Sequence, residues 1–133
     1  MRDKSKIYSY KDLVVWQRAM ELVVAIYELT EKYPHAELYG LVSQMRRSAV
    51  SIPSNIAEGR RRGGRKEFHQ FLLIAYVSGA ELETQIEISR RLSFGEKLNY
   101  TEVTRCLDEV MRMLNKMTAS LKSYKLKSLS YGP

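Results

Sequence analysis

The chain has 133 residues, 44% of them hydrophobic and 28% charged, with a formal net charge of +7. That length is about one domain with a single core, and the composition excludes a disordered tail. No run approaches the roughly 20 apolar residues of a membrane helix, and the charged opening "MRDKSKIYSYKDLVVW" lacks a signal-peptide pattern.

In chain order, the apolar rhythm predicts four helices and no strand. The first runs from about Lys11 to Lys32, with Leu13, Trp16, Met20, Val23, Val24 and Tyr27 at steps of three and four. Tyr33-Pro34 ends it, because the residue before a proline is pushed out of the helical region. The second spans Glu37 to Arg61 and carries Leu38, Leu41, Val42, Met45, Ala49, Ile52 and Ile56 on one stripe, with Gly63-Gly64 beyond it. The third runs from Arg65 to about Leu92 along Phe68, Phe71, Leu72, Ala75, Leu82 and Ile86, and Gly95 closes it. Thr101 reads as the N-cap of a fourth helix reaching Tyr124, whose seam is Val103, Cys106, Leu107, Val110, Leu114, Met117, Leu121 and Tyr124. Short connections make consecutive helices antiparallel neighbours, so the expected fold is all-α, an up-down-up-down four-helix bundle. Its expected division is an arm at 1–10, the bundle at 11–125 and a frayed basic tail at 126–133.

Pro53 interrupts the second helix, where a proline costs about 3 kcal/mol. The four-residue step from Ile52 to Ile56 is unbroken across it, which favours one kinked helix over two short ones. Asn55 could then reach the backbone groups that the proline frees. Ser51, Asn55 and Glu58 share a face, as do Ser78, Glu81 and Gln85 beside Ile74, Val77, Ile88 and Leu92. That second, semi-apolar stripe is wider than one bundle requires and suggests a subunit interface with buried polar groups.

Excess charge is local. Arg60, Arg61, Arg62, Arg65 and Lys66 crowd seven positions without an acid, and Lys116, Lys122, Lys125 and Lys127 lie in a second acid-free stretch. Local cation density attracts polyanions, and arginine's planar fork suits phosphate. Arg60, Arg61, Arg62, Arg65 and Lys66 are therefore the candidate nucleic-acid contacts, with Arg46 and Arg47 as secondary ones. Solvated helix ends, favoured by the dipole, are the competing account of the same charges. Tyr8, Tyr10, Tyr39 and Tyr131 could offer stacking platforms, against the commoner role of packing on a bundle edge.

Catalysis finds no support in the residues. His35, His69 and Cys106 are too few and too scattered for a zinc site, and no phosphate-loop motif is present. Gly63-Gly64 reads as a helix-helix turn before it reads as a phosphate cradle. Glu58 and Glu81 read as buried structural acids, and Cys106 as a core residue in a reducing cytoplasm, with an exposed reactive thiol as the alternative. No catalytic residue, metal or cofactor is expected.

"YKDLVVWQRAMEL", "SQMRRSAVSIPSNIAEG" and "EFHQFLLIAYVSGAELETQ", with the spacing between them, make the chain recognisable over about residues 8–121. They resemble the bacterial four-helix-bundle proteins named for open reading frames within large-subunit rRNA intervening sequences. The accessory variability determinants of diversity-generating retroelements are related to these. The resemblance implies an antiparallel four-helix bundle, assembly into a barrel-like homopentamer, and basic surfaces. In the retroelement relatives it implies binding of nucleic acid and of a reverse transcriptase. Trp16, Pro53, Asn55, Glu58, Gly59 and Glu81 carry over as family-motif positions with a structural role. A structural or adaptor protein with a protein partner, and no nucleic-acid role, is the alternative function.

Overall fold

The computed structural model describes the backbone of residues 8–131 and the side chains of 8–122. Its four α-helices are α1 (Val14–Thr30), α2 (Ser43–Arg61), α3 (Arg65–Arg91) and α4 (Thr101–Tyr131), and no strand occurs among the described residues. Contacts join α1 to α2, α2 to α3, α3 to α4 and α4 back to α1. One core therefore lies between all four.

The second stripe is the one the rhythm gives: Val42, Met45, Ala49, Ile52 and Ile56 are buried, and Leu38 and Leu41 pack against them. α2 runs unbroken through a buried Pro53, as the unreset Ile52–Ile56 step requires. On α1 the expected face is displaced. Val15, Ala19, Leu22, Ala25, Ile26 and Leu29 face the core, whereas Met20, Val24 and Tyr27 are exposed and Trp16 and Val23 are only partly buried. Gln17, Arg18, Glu21 and Glu28 share one side of α1, but the apolar arc opposite is wider than the core needs, and packing selects the part of it that holds the small Ala19 and Ala25.

Helix ends also depart from expectation. The chain enters through a 3₁₀ turn at Tyr10–Asp12, and extended Leu13 separates that turn from α1. A second 3₁₀ turn at His35–Glu37 and a π turn at Leu38–Val42, with non-helical Gly40, precede α2. Thr101 is the first residue of α4 and not its cap; Asn99 Oδ1 accepts the Thr101 N–H at 3.0 Å. Beyond Tyr124 the helix continues through Tyr131, so the expected frayed tail is helical there, and Gly132 and Pro133 lie outside the described residues.

α2 and α3 meet through small and polar residues. A Cβ at buried Gly59 would stand 2.6 Å from Phe71 Cβ, so only glycine allows the helices this approach. Ser51 and Ser78 share a hydrogen bond of 2.9 Å, and Asn55 Nδ2 donates to the Ser51 carbonyl at 2.8 Å and to Ser51 Oγ at 2.9 Å. Asn55 thus serves the carbonyl one turn back and not the one that Pro53 deprives, which belongs to Ala49. Ser51, Asn55 and Ser78 thus join two helices of one chain. At the far end, Ser89 Oγ donates to the Gln85 carbonyl at 3.0 Å and lies 3.7 Å from Met45 Sδ. Nearby Tyr33 Oη is buried without a hydrogen-bond partner, and burial pushes its pKa above the ordinary 10.0. The adjacent Tyr100 hydroxyl is committed to the Gly95 carbonyl at 2.7 Å.

Candidate nucleic-acid interface

The last turn of α2, the link at Gly63-Gly64 and the first turn of α3 form one basic corner. The link can turn so tightly because Gly63 takes φ +82°, a region costly for any other residue. Extended Gly64 then opens α3, and its carbonyl accepts the Phe68 N–H at 3.0 Å. Folding thereby gathers Arg60, Arg61, Arg62, Arg65 and Lys66 around a single turn, with all but the half-buried Arg60 exposed.

These cations are not equivalent. Arg62 donates from Nε and Nη2 to Glu58 Oε1, at 3.0 and 2.8 Å, and its guanidinium lies 5.2 Å from the centre of the Phe71 ring. Arg61 lies 5.5 Å from the centre of the Tyr10 ring, which itself stands edge-on to Trp16 at 5.3 Å. Arg60 and Arg65 border a shallow depression floored by Gly59, Phe68 and Leu121.

Arg46 and Arg47 are not brought to this corner. Fourteen positions along α2 separate Arg47 from Arg61, about 21 Å of helix. Arg46 is also committed: its Nε donates to Thr30 Oγ1 at 2.9 Å and its guanidinium lies 4.4 Å from the Tyr27 ring centre. Arg47 is exposed.

Two further expectations are corrected. Glu58 and Glu81 are exposed and not buried, since the outward sides of α2 and α3 carry them; Glu58 finds its charge partner in Arg62, one turn on. Of the other motif positions, Pro53 and Gly59 are buried, while Trp16 and Asn55 are partly buried. Tyr8 and Tyr39 are exposed, Tyr10 is half-buried beneath Arg61, and the Tyr131 side chain lies outside the described residues. Sequence reading missed Tyr10 and Phe71 as arginine platforms. Nothing in a linear pattern links Tyr10 to a residue fifty-one positions later, although a ring just ahead of a tryptophan was visible.

Cys106 is buried, and burial together with the nearby Glu102 carboxylate pushes its thiol pKa up, the opposite of a reactive cysteine. Among the described residues no group of three or more His, Cys, Asp or Glu side chains could hold a metal ion. No helix described is long and apolar enough to cross a membrane.

The fold and its basic corner define an all-α, four-helix protein with cations concentrated at one inter-helix turn. A sequence model of the 23S rRNA-intervening sequence protein family matches residues 11–116, and the chain belongs to that family. A search of curated proteins returned no match.

Proposed function

We propose that this protein is a non-enzymatic, cytoplasmic, antiparallel four-helix bundle that assembles into a ring-like homopentamer and grips nucleic-acid backbone with its α2–α3 corner. The gathering of Arg60, Arg61, Arg62, Arg65 and Lys66 on one turn carries the binding half of this reading. Such density supplies salt-sensitive, sequence-independent attraction to RNA or DNA. A family description that refers to 23S rRNA is in keeping with an RNA ligand. The reading requires no cofactor, metal or membrane.

The antiparallel order is supported by the α2–α3 contacts, in which rising numbers on α2 meet falling ones on α3: Met45 with Ser89, Ser51 with Ser78. Self-association is supported by two separate exposed apolar stripes. Ile74, Val77 and Ile88 on α3, with Leu92 just past its end, form one, and Met20, Val24 and Tyr27 form the other on α1. Two unlike patches on one protomer suit a heterologous contact, and heterologous contacts that close give rings. The number five rests on the sequence resemblance, as does a role as accessory to the reverse transcriptase of a diversity-generating retroelement. A gene beside a reverse transcriptase and a variable repeat favours that role; a solitary gene, or one within an rRNA gene, removes it.

The direct test is binding of a labelled, unstructured RNA by the native protein and by the variant Arg60→Glu/Arg61→Glu/Arg62→Glu. Steep loss of native affinity between low and moderate salt, with far weaker binding in the variant, is the expected result. Equal binding by both proteins overturns the nucleic-acid reading and leaves the apolar α3 stripe to serve a protein partner. Sedimentation at the mass of one chain overturns the ring.

A further inference from the structure

We infer that Tyr10 is a positioning residue for the polyanion site: its ring holds the Arg61 guanidinium in a fixed plane and leaves the donors at its edge for phosphate. This rests on the reading of the α2–α3 corner just given and names how one of its cations is organised.

The inference begins with what holds Tyr10. The Asp12 carboxylate accepts the Tyr8 and Ser9 amides at 2.9 and 3.0 Å, Ser9 Oγ accepts the Lys11 amide at 3.2 Å, and Gln17 Nε2 donates to the Lys11 carbonyl at 2.9 Å. This capped turn sets the Tyr10 ring edge-on to Trp16, with an interplanar angle of 65°. The turn that carries the ring is thus capped at both ends, and the ring itself packs on Trp16.

Arg61 lies over that ring at 5.5 Å, within cation–π range. Its neighbour Arg62 spends Nε and Nη2 on Glu58, whereas Arg61 makes no ion pair among the described residues. A guanidinium held by its face keeps its N–H groups in plane, and these are the groups that pair with phosphate oxygens. Prior stacking also removes part of the rotamer freedom that an arginine otherwise surrenders on binding. Tyr10 thus does for Arg61 what a carboxylate cannot: it orients the cation without neutralising it.

The test is a double-mutant cycle on Tyr10 and Arg61, read by the affinity for a labelled, unstructured uridine oligonucleotide over a range of salt. Tyr10→Ala is expected to weaken binding about two- to fivefold, the worth of an exposed cation–π contact. It also lowers the slope of log affinity against log salt by up to about 0.7, one phosphate's share for a single strand. Tyr10→Phe, which keeps the ring face, retains native affinity. Tyr10→Leu, which keeps apolar bulk against Trp16 without a ring, shows the same loss as alanine and covers the case in which Tyr10→Ala fails to fold. In the Arg61→Ala background, Tyr10→Leu is expected to change nothing further. Native affinity in Tyr10→Leu, or an equal loss in both backgrounds, overturns the inference while the basic corner stands. An Arg61→Ala protein that binds as tightly as native overturns the role of Arg61 itself, and Tyr10 falls with it.

Discussion

Both ends of α2 carry adjacent arginines beside aromatic rings, yet their surroundings employ them differently. At the N-terminal end Arg46 ties α2 to α1, with its Nε donating to Thr30 and its guanidinium over the Tyr27 ring. At the C-terminal end Arg61 lies over a ring on the entering turn and pairs with no carboxylate described. One residue type thus acts as an inter-helix tie and as an available cation, and the neighbouring donors and acceptors decide which. Counting basic residues in the sequence could not separate the two uses.

That contrast can be broken or sharpened by substitution. The largest expected effect lies at the C-terminal half. Gly59→Ala forces a Cβ against Phe71 Cβ at 2.6 Å, both on helix backbones with little room to yield, and is expected to cost about 1–3 kcal/mol in chemical denaturation. An unchanged midpoint would mean that the helices separate freely there. Asn55→Leu comes next, because it removes the donor to Ser51 and leaves the Ser51–Ser78 pair unsupported; a loss of about 1–2 kcal/mol is expected by the same measurement. Arg46→Ala should cost about 1 kcal/mol while RNA affinity changes little, since the tie is internal. A large affinity loss without destabilisation would place Arg46 among the ligand contacts instead.

The smallest effect near neutral pH concerns Tyr33, below the N-terminal end of α2. Its hydroxyl is buried and unpartnered, so Tyr33→Phe is expected to be neutral or stabilising by up to about 1 kcal/mol. Burial raises the folded pKa above the unfolded value of 10.0, so the stability tied to the neutral phenol is intact below pH 10.0 and is lost as pH rises beyond it. Above that point the native protein should lose up to about 1.4 kcal/mol per pH unit from this group. Melting curves between pH 9 and pH 12 should therefore fall less steeply for Tyr33→Phe, and parallel curves would contradict the assignment.

The α2 stripe was legible in the sequence because polar residues flank it on both sides and leave one apolar face. α1 was not, because Met20, Val24 and Tyr27 extend its apolar surface beyond the buried face. The continuous helix through Pro53 followed from an unbroken step of four, whereas the use of Asn55 depended on Ser51 and Ser78 being neighbours across two helices. Burial of Glu58 and Glu81 was expected because structural networks can hold carboxylates inside a fold, but a carboxylate without a buried cation is costly to bury, and both are exposed. The basic corner itself was plain in "GRRRGGRK". Its division into an ion-paired Arg62 and a ring-held Arg61 needed coordinates.

The most direct measurement compares the salt dependence of RNA binding for two variants, one reversed at each end of α2. Arg60→Glu/Arg61→Glu/Arg62→Glu should bind far more weakly than native and with a slope of log affinity against log salt reduced by about two, three phosphate contacts at about 0.7 each. Arg46→Glu/Arg47→Glu, although it also adds acid to α2, should keep a slope close to native. Equal slopes for native and triple variant, or a greater loss at the N-terminal pair, would contradict the assignment of the polyanion site to the α2–α3 corner.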